Sequence, residues 1–194
     1  MKSKSFILED AQDKIEEYVG LIKRDCMGFI RQANGQYLYR GLGTASDEFL
    51  SKSIRLTGRM PKDVPSLLHY TINEYFINNF GAPFRNAMFC SGSQHLADFY
   101  GNIYGVFPIG NFDFVWSPEV DDLYMEWDEV EHDEHDVMVD NLMDEVAQTY
   151  KNDNLEQAIK SNNEIMVRTR DYYAIKNEII QDPKYNFTRL LYEK

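Results

Sequence analysis

The chain has 194 residues, of which 43% are hydrophobic and 14% aromatic, enough for one domain with a sizeable core. No stretch reaches the roughly eighteen uninterrupted apolar residues of a membrane span, and the N-terminus lacks an apolar run of signal-peptide length. We therefore expect one unprocessed cytoplasmic domain that does not bind membranes. Cys26 and Cys90 lack metal-site spacing, which fits a reducing compartment and predicts no structural metal.

The formal net charge of -12 is concentrated in one segment. Residues 117–146 contain 13 acidic residues and no Lys or Arg, whereas the rest of the chain is nearly neutral. This distribution disfavours nucleic acid or an anionic membrane as a direct partner and allows a basic protein, for instance a nucleic-acid-binding one. A solvated charged helix or loop explains the segment equally well.

The first predicted elements are a long helix, a short strand and a loop. Apolar residues recur at helical spacing from Leu8 to Ala33, and Asn34-Gly35 provides a helix stop. Residues 37–40 predict a strand with Arg40 at its C-terminal end, followed by a glycine turn. A polar loop is predicted from Thr44 to Pro61.

The middle of the chain predicts a second helix and a buried strand. The helix runs from Pro65 to Phe80 and is closed by Gly81. The strand covers Ala87 to Cys90 and leads into a Ser-Gly-Ser turn, in which Ser93 can cap a short helix.

The last part of the chain predicts two further groups of strands. Residues 102–110 and 112–116 each predict a strand, and Val137 to Tyr150 an amphipathic helix. Two strands within 162–178 follow, and the tail from Ile179 has little periodicity and is expected on the surface. Strands in separate groups without regular helix alternation predict an α+β fold.

Common catalytic motifs are missing from the sequence, including the phosphate-binding loop, the nucleophile elbow and the dinucleotide-binding glycine fingerprint. "EHDEHD", residues 131–136, spaces His132 and His135 three apart among carboxylates, as a metal site would. We favour a solvated charge run, because no matching ligands occur elsewhere.

Three sets of polar residues stand at predicted strand ends: Arg40, the pair Ser91 and Ser93, and Glu164. Each has an ordinary explanation, namely a surface ion pair, a helix cap and a charge that blocks strand aggregation. Together, a forked cation, a hydroxyl and a single carboxylate suit a substrate with phosphates and a ribose whose anomeric carbon becomes positive in the transition state. NAD is such a substrate.

The stretches that carry these residues resemble the ADP-ribosyltransferase family, in its Arg, Ser-x-Ser, Glu branch. They are "LYRG", "MFCSGS" before a short helix, and "NEIMVRTRDYYAIKNE"; "FVWSPEVDDL" is similar to the segment between the two halves of that fold, including in phage-encoded members. The resemblance implies a split β core of two small packed sheets with flanking helices. Residues 1–35 would be an N-terminal helical flank and 117–160 an acidic insertion that helps to select the target.

The resemblance implies roles for the core residues. Arg40 would bind the NAD phosphates, next to a close backbone approach at Gly41. Ser91 would hydrogen-bond Glu164, and Ser93 would support the strand end. Glu164 would bind the ribose 2'-hydroxyl and stabilise the positive charge that develops as nicotinamide leaves.

Two further roles concern the edges of the site. Phe99 or Tyr100 would stack on the nicotinamide ring. Asn162 stands two residues before Glu164, where the family usually has Glu or Gln to engage the acceptor. Asn can hydrogen-bond an acceptor but cannot deprotonate it, so transfer to arginine is disfavoured. Gly92 also replaces the usual Thr between the two serines.

The resemblance therefore implies an NAD-dependent mono-ADP-ribosyltransferase that modifies a protein, in the host cytoplasm if the chain is phage-encoded. Two alternatives remain open at this stage. The protein could be an NAD glycohydrolase, or a catalytically inactive acidic decoy that occupies a basic host protein.

Overall fold

The structure is a computed structural model that describes residues 3–59, 66–123 and 146–193. These residues form a mixed α+β fold, as predicted. The helices are α1 Ser3–Asp25, α2 Met27–Ala33, α3 Ser66–Phe80, α4 Gln94–Asp98, α5 Leu155–Ser161, α6 Asn177–Gln181 and α7 Phe187–Tyr192. The strands are β1 Leu38–Gly41, β2 Phe49–Ser53, β3 Met88–Ser91, β4 Ile103–Pro108, β5 Asp113–Trp116, β6 Glu164–Arg168 and β7 Asp171–Lys176.

The strands form one antiparallel sheet in the order β2-β7-β4-β1-β3-β6-β5. Adjacent strands share four or five residue pairs except at the β1–β3 junction, where Tyr39 opposite Ser91 is the single pair. We call β2, β7, β4 and β1 the first half-sheet, and β3, β6 and β5 the second. Two separate packed sheets were expected, and the narrow junction joins them into one.

Two apolar clusters fill the interior. The larger packs α1, α2, α5, α6 and α7 against the first half-sheet and one face of the second. The smaller packs α3 against the opposite face of β5 and β6. Side chains of β6 alternate between the two clusters: Ile165 and Val167 pack in the larger cluster and Met166 packs in the smaller. The strand that begins with Glu164 is therefore covered on both faces.

The predicted N-terminal helix is interrupted at Cys26. The carbonyl of Asp25 accepts a hydrogen bond from the backbone N–H of Gly110 at 2.8 Å, instead of continuing the helical ladder. The Cys26 thiol is fully buried, and it donates to the carbonyl of Phe107 at 3.5 Å. Docking on the β4–β5 hairpin thus divides one predicted helix into α1 and α2, and Asn34 ends α2 in the left-handed conformation.

The predictions of α3 and of strands β1 and β3 to β7 are confirmed within a few residues, as is the cap at Ser93. The loop predicted from Thr44 to Pro61 was wrong in part, because it contains β2. This polar strand is stabilised by pairing with β7, which its sequence alone does not indicate. Helix α5 was not predicted.

The C-terminal tail was also predicted wrongly as surface structure. It contains α6 and α7, which bury Ile179, Ile180, Phe187 and Leu191 in the larger cluster. Gly105 in β4 accommodates this packing, since a Cβ there would lie 2.3 Å from Cδ1 of Ile180.

The acidic segment is described only at its ends. Residues 124–145, with His132, His135 and most of the predicted helix from Val137 to Tyr150, lie outside the described residues. Residues 147–149 form one turn of 3-10 helix. Among the helices of the described residues, none has the length and apolar character to cross a membrane.

Candidate active site

Three neighbouring strands carry the residues that the sequence singled out. Arg40 lies in β1, Ser91 ends β3 and Glu164 begins β6. Ser91 is directly opposite Glu164 on one side, and its backbone faces Tyr39, the neighbour of Arg40, on the other. Opposed residues of antiparallel strands project from the same face, so Ser91 and Glu164 share one face with Tyr39. Arg40, the next residue of β1, projects from the other face, and two strand spacings of about 10 Å separate β1 from β6.

The carboxylate of Glu164 is largely withdrawn from water, with 13% of its side chain exposed. Burial raises its pKa to about 7, opposed first by the charge of Arg85 and supported by that of Asp122. Nη1 of Arg85 lies 3.6 Å from Oε1 of Glu164, which is too long for a hydrogen bond. Glu164 therefore changes its charge near neutral pH.

The hydroxyl of Ser91 is engaged by backbone groups. It donates to the carbonyl of Asn162 at 2.6 Å and accepts from the N–H of Ser93 at 2.9 Å. Since a hydroxyl has a single proton, Ser91 has none to donate to Glu164 in this arrangement. The expected hydrogen bond from Ser91 to Glu164 is therefore not formed. Ser91 instead bonds the backbone of the turn that leads into β6, and so it positions Glu164 through that turn.

The two departures from the family pattern have local structural reasons. Asn162 ends α5 in the left-handed conformation, with φ of 66°, which Asn adopts more readily than Glu or Gln. A Cβ on Gly92 would lie 1.8 Å from the carbonyl oxygen of Ile159, so any larger residue would push α5 away. Both residues let α5 pack closely beside the candidate site.

The close backbone approach expected at Gly41 is made by the chain itself. A Cβ at Gly41 would lie 2.2 Å from the carbonyl oxygen of Ala97 and 2.7 Å from the carbonyl carbon of Tyr100. The end of α4 therefore covers this side of β1, and the glycine is explained without a ligand.

The two aromatic residues after α4 are exposed, Phe99 by 72% and Tyr100 by 65%. The hydroxyl of Tyr100 donates to Oδ2 of Asp122 at 3.3 Å. Burial, Asp122 and then Glu164 raise the pKa of Tyr100, so this ring lies on the Glu164 side of the molecule. An exposed ring near the carboxylate is available for stacking.

The arginine of β1 lies at the junction of the half-sheets. Nη1 of Arg40 donates to the carbonyl of Phe89 at 2.9 Å, and its Nε is buried without a hydrogen-bond partner. This bond links β1 to β3 where their backbones no longer pair.

Sequence reasoning missed two further arginines, Arg59 and Arg85. Their guanidinium carbons lie 5.0 Å and 4.8 Å from the centre of the Phe89 ring. Arg59 also donates to the carbonyl of Ala87. Arg59 lies in a loop whose sequence has no pattern that would indicate a site. Arg85 stands three residues before a buried strand, and this position was a weak indication of a functional residue.

A buried polar chain supports Arg85 from α3. The side-chain oxygen of Asn73 accepts from the backbone N–H of Arg85 at 2.9 Å, and its nitrogen lies 3.0 Å from Nε2 of His69. Burial and the charge of Arg85 lower the pKa of His69, which favours the neutral imidazole. Within the described ranges, no group of three His, Cys, Asp or Glu residues could hold a metal ion.

Comparisons with known proteins give no match. No family model, curated protein or solved structure matches the chain. The observations that bear on function are thus the chain's own, above all the adjacency of β1, β3 and β6.

Proposed function

We propose that this protein is an NAD-dependent mono-ADP-ribosyltransferase, with the two half-sheets as its split β core. It cleaves the nicotinamide–ribose bond and transfers ADP-ribose to a protein. One observation carries the proposal: Arg40, Ser91 and Glu164 lie on β1, β3 and β6, which are adjacent in the sheet. Ser91 pairs with Glu164 on one side and with Tyr39, the residue before Arg40, on the other.

Glu164 is the group that faces the reacting carbon. As the bond to nicotinamide breaks, positive charge develops on the ribose, and a carboxylate beside it stabilises that charge more strongly in a poorly hydrated site. The low exposure of Glu164 suits this role. Only the ionised form is effective, so activity falls as pH drops through about 7, where the pKa of Glu164 lies.

The other residues bind and orient the substrate. The buried Nε of Arg40 has no partner, which leaves a charged donor for a phosphate oxygen. Phe99 and Tyr100 offer exposed rings for the nicotinamide. Ser91 fixes the backbone of the turn before Glu164, and it acts on the carboxylate through that turn.

NAD hydrolysis is the second candidate, and the chemistry of the Asn162 side chain favours it. The side chain is exposed and uncharged, so it provides no base for an acceptor group. Water would then receive the ADP-ribose. The decoy alternative rests on the acidic segment, which lies mostly outside the described residues.

The test follows labelled NAD with purified protein, with and without cell lysate. Release of nicotinamide should fall about 10²–10³-fold in Glu164→Gln, by analogy with loss of one electrostatic transition-state contact. Glu17→Gln is the matched control, because Glu17 is an exposed carboxylate of α1, outside the residues assigned to substrate or target. Label on protein indicates transfer, and free ADP-ribose indicates hydrolysis.

Equal nicotinamide release by the wild type and Glu164→Gln would overturn the proposal. A thermal melt of each variant verifies that a loss of activity does not come from unfolding.

A further inference from the structure

Two guanidinium groups from separate segments lie against one ring. Arg59 follows β2 and Arg85 precedes β3, and both contact the ring of Phe89. Like charges this close repel each other: burial, and then the charges of Arg40 and Arg85, lower the pKa of Arg59. The aromatic face offsets only part of this repulsion.

Two nitrogen atoms of the Arg85 guanidinium make no hydrogen bond within the described part of the chain. Its residue is 5% exposed, and both Nε and Nη1 are buried without a hydrogen-bond partner. Oε1 of Glu164, the nearest carboxylate atom, is also without one, at 3.6 Å. Unsatisfied donors on a buried cation are costly, so their persistence points to a ligand that accepts these hydrogen bonds.

The charges around the ring favour an anion. Among the described residues, Arg40, Arg59 and Arg85 are the cations of this group, and Glu164 and Asp122 are the carboxylates that interact with them. Glu164 is only partly ionised at neutral pH. A local positive excess thus occurs in a chain with a net charge of -12, and it attracts negatively charged ligands.

We propose that Arg59 and Arg85 form a binding site for the diphosphate group of a dinucleotide, with Phe89 as the platform that orients them. Each planar fork can bind one phosphate through two hydrogen bonds, which a pair of lysines could not do. Phe89 and Arg59 are half-buried, so the described side of the site reaches the surface.

The identification of the ligand as NAD rests on the proposed function, whereas the anion site does not. Arg85 lies beside Glu164, and Arg59 interacts with both Arg85 and Arg40. A diphosphate held there would lie between β1 and β6, with the adjoining ribose near the carboxylate. The phosphates would then be bound mainly by Arg59 and Arg85, because Nη1 of Arg40 already donates to the carbonyl of Phe89.

The experiment is calorimetric titration of the full chain with inorganic pyrophosphate and with ADP-ribose. Arg59→Lys and Arg85→Lys keep the charge but lose the fork, and each should weaken both ligands about tenfold or more. Arg170→Lys is the matched control, because its side chain is 91% exposed in the β6–β7 turn. It should bind as the wild type does.

Two results would overturn the site: no binding of pyrophosphate by the wild type, or equal affinity in all variants. Arg59→Lys preserves the test if Arg85→Lys does not fold. If NAD is cleaved with an unchanged KM in both lysine variants, the site is wrong and the proposed function stands. If pyrophosphate binding needs both arginines but no nicotinamide is released, the site stands and the proposed function is wrong.

Discussion

The two half-sheets differ in what they bury. The first packs almost entirely apolar side chains, such as Phe107, Val106 and Ile175, against the helices of the larger cluster. Six of the seven buried polar residues in the described ranges lie on or beside the second: His69, Asn73, Arg85, Ser91, Ser117 and Asn163. Buried polar groups destabilise a fold unless they have hydrogen-bond partners. We therefore infer that the first half-sheet contributes most of the stability and that the second is less stable.

The polar groups of the second half-sheet and its surroundings, together with Arg40 of β1, fall into a set with hydrogen-bond partners and a set with unpartnered atoms. Asn163 donates to the carbonyl of Ser117 at 2.9 Å, and the Ser117 hydroxyl lies 2.6 Å from that of Thr149. These groups shape the turns that flank β5 and β6. In the described ranges, seven buried side-chain atoms have no hydrogen-bond partner, and all but one, in Asn177, belong to Arg40, His69, Arg85, Asn86 and Glu164. Unsatisfied groups gather at the candidate site, as expected of residues kept for function.

The largest effect should come from the apolar half. Phe107 is fully buried between α2 and α7, so Phe107→Ala should lower the free energy of unfolding by about 3–5 kcal/mol. Urea unfolding followed by circular dichroism measures this loss. Phe99→Ala is the control, since its ring is exposed, and it should change stability by less than about 0.5 kcal/mol.

A loss of stability in Phe99→Ala as large as that in Phe107→Ala would contradict the assignment of Phe99 to the surface. Phe99 would then belong to a packed core and could not be a surface for stacking.

Glu164, in the second half-sheet, should make the free energy of unfolding depend on pH. The pKa of Glu164 is raised from 4.5 to about 7, so between these values the folded protein binds more protons than the unfolded chain. Stability is therefore lost as pH rises through this window. The free energy of unfolding of the wild type, relative to Glu164→Gln, should decrease from pH 5 to pH 8.

The difference between the two proteins is the quantity to measure. His69 has a lowered pKa, which makes stability rise with pH, but it is present in both proteins and largely cancels. A difference that stays constant from pH 5 to pH 8 would show that Glu164 is not in a poorly hydrated site.

The sequence predicted the strands of the second half-sheet well. Its β3 and β6 are short apolar runs bounded by turn residues, and Ser93 is a helix cap with an ordinary signature. Hydrophobic patterns of this kind are local, so they can be found without knowledge of the partner strand. Arg40, Ser91 and Glu164 were expected at the ends of three strands, whereas the order of those strands in the sheet was not predicted.

Long-range packing decided what the sequence did not predict. Strand β2 exists because β7 pairs with it, and the tail is helical because the larger cluster buries Phe187 and Leu191. The grouping of Arg59 and Arg85 on Phe89 joins segments 26 residues apart in sequence, which no local pattern indicates. The hydroxyl of Ser91 likewise meets a backbone carbonyl 71 residues away.

The smallest expected effect concerns Asn162, where fold and function meet. Its left-handed conformation, with φ of 66°, predicts that Asn162→Ala lowers the free energy of unfolding by about 1 kcal/mol, whereas Asn162→Gly does not. Glycine keeps the turn and the carbonyl that Ser91 binds, but removes the exposed amide. If that amide orients the acceptor, Asn162→Gly should release nicotinamide at the wild-type rate and label less protein. Equal labelling by the two proteins would mean that Asn162 only shapes the turn, and that the acceptor is selected elsewhere.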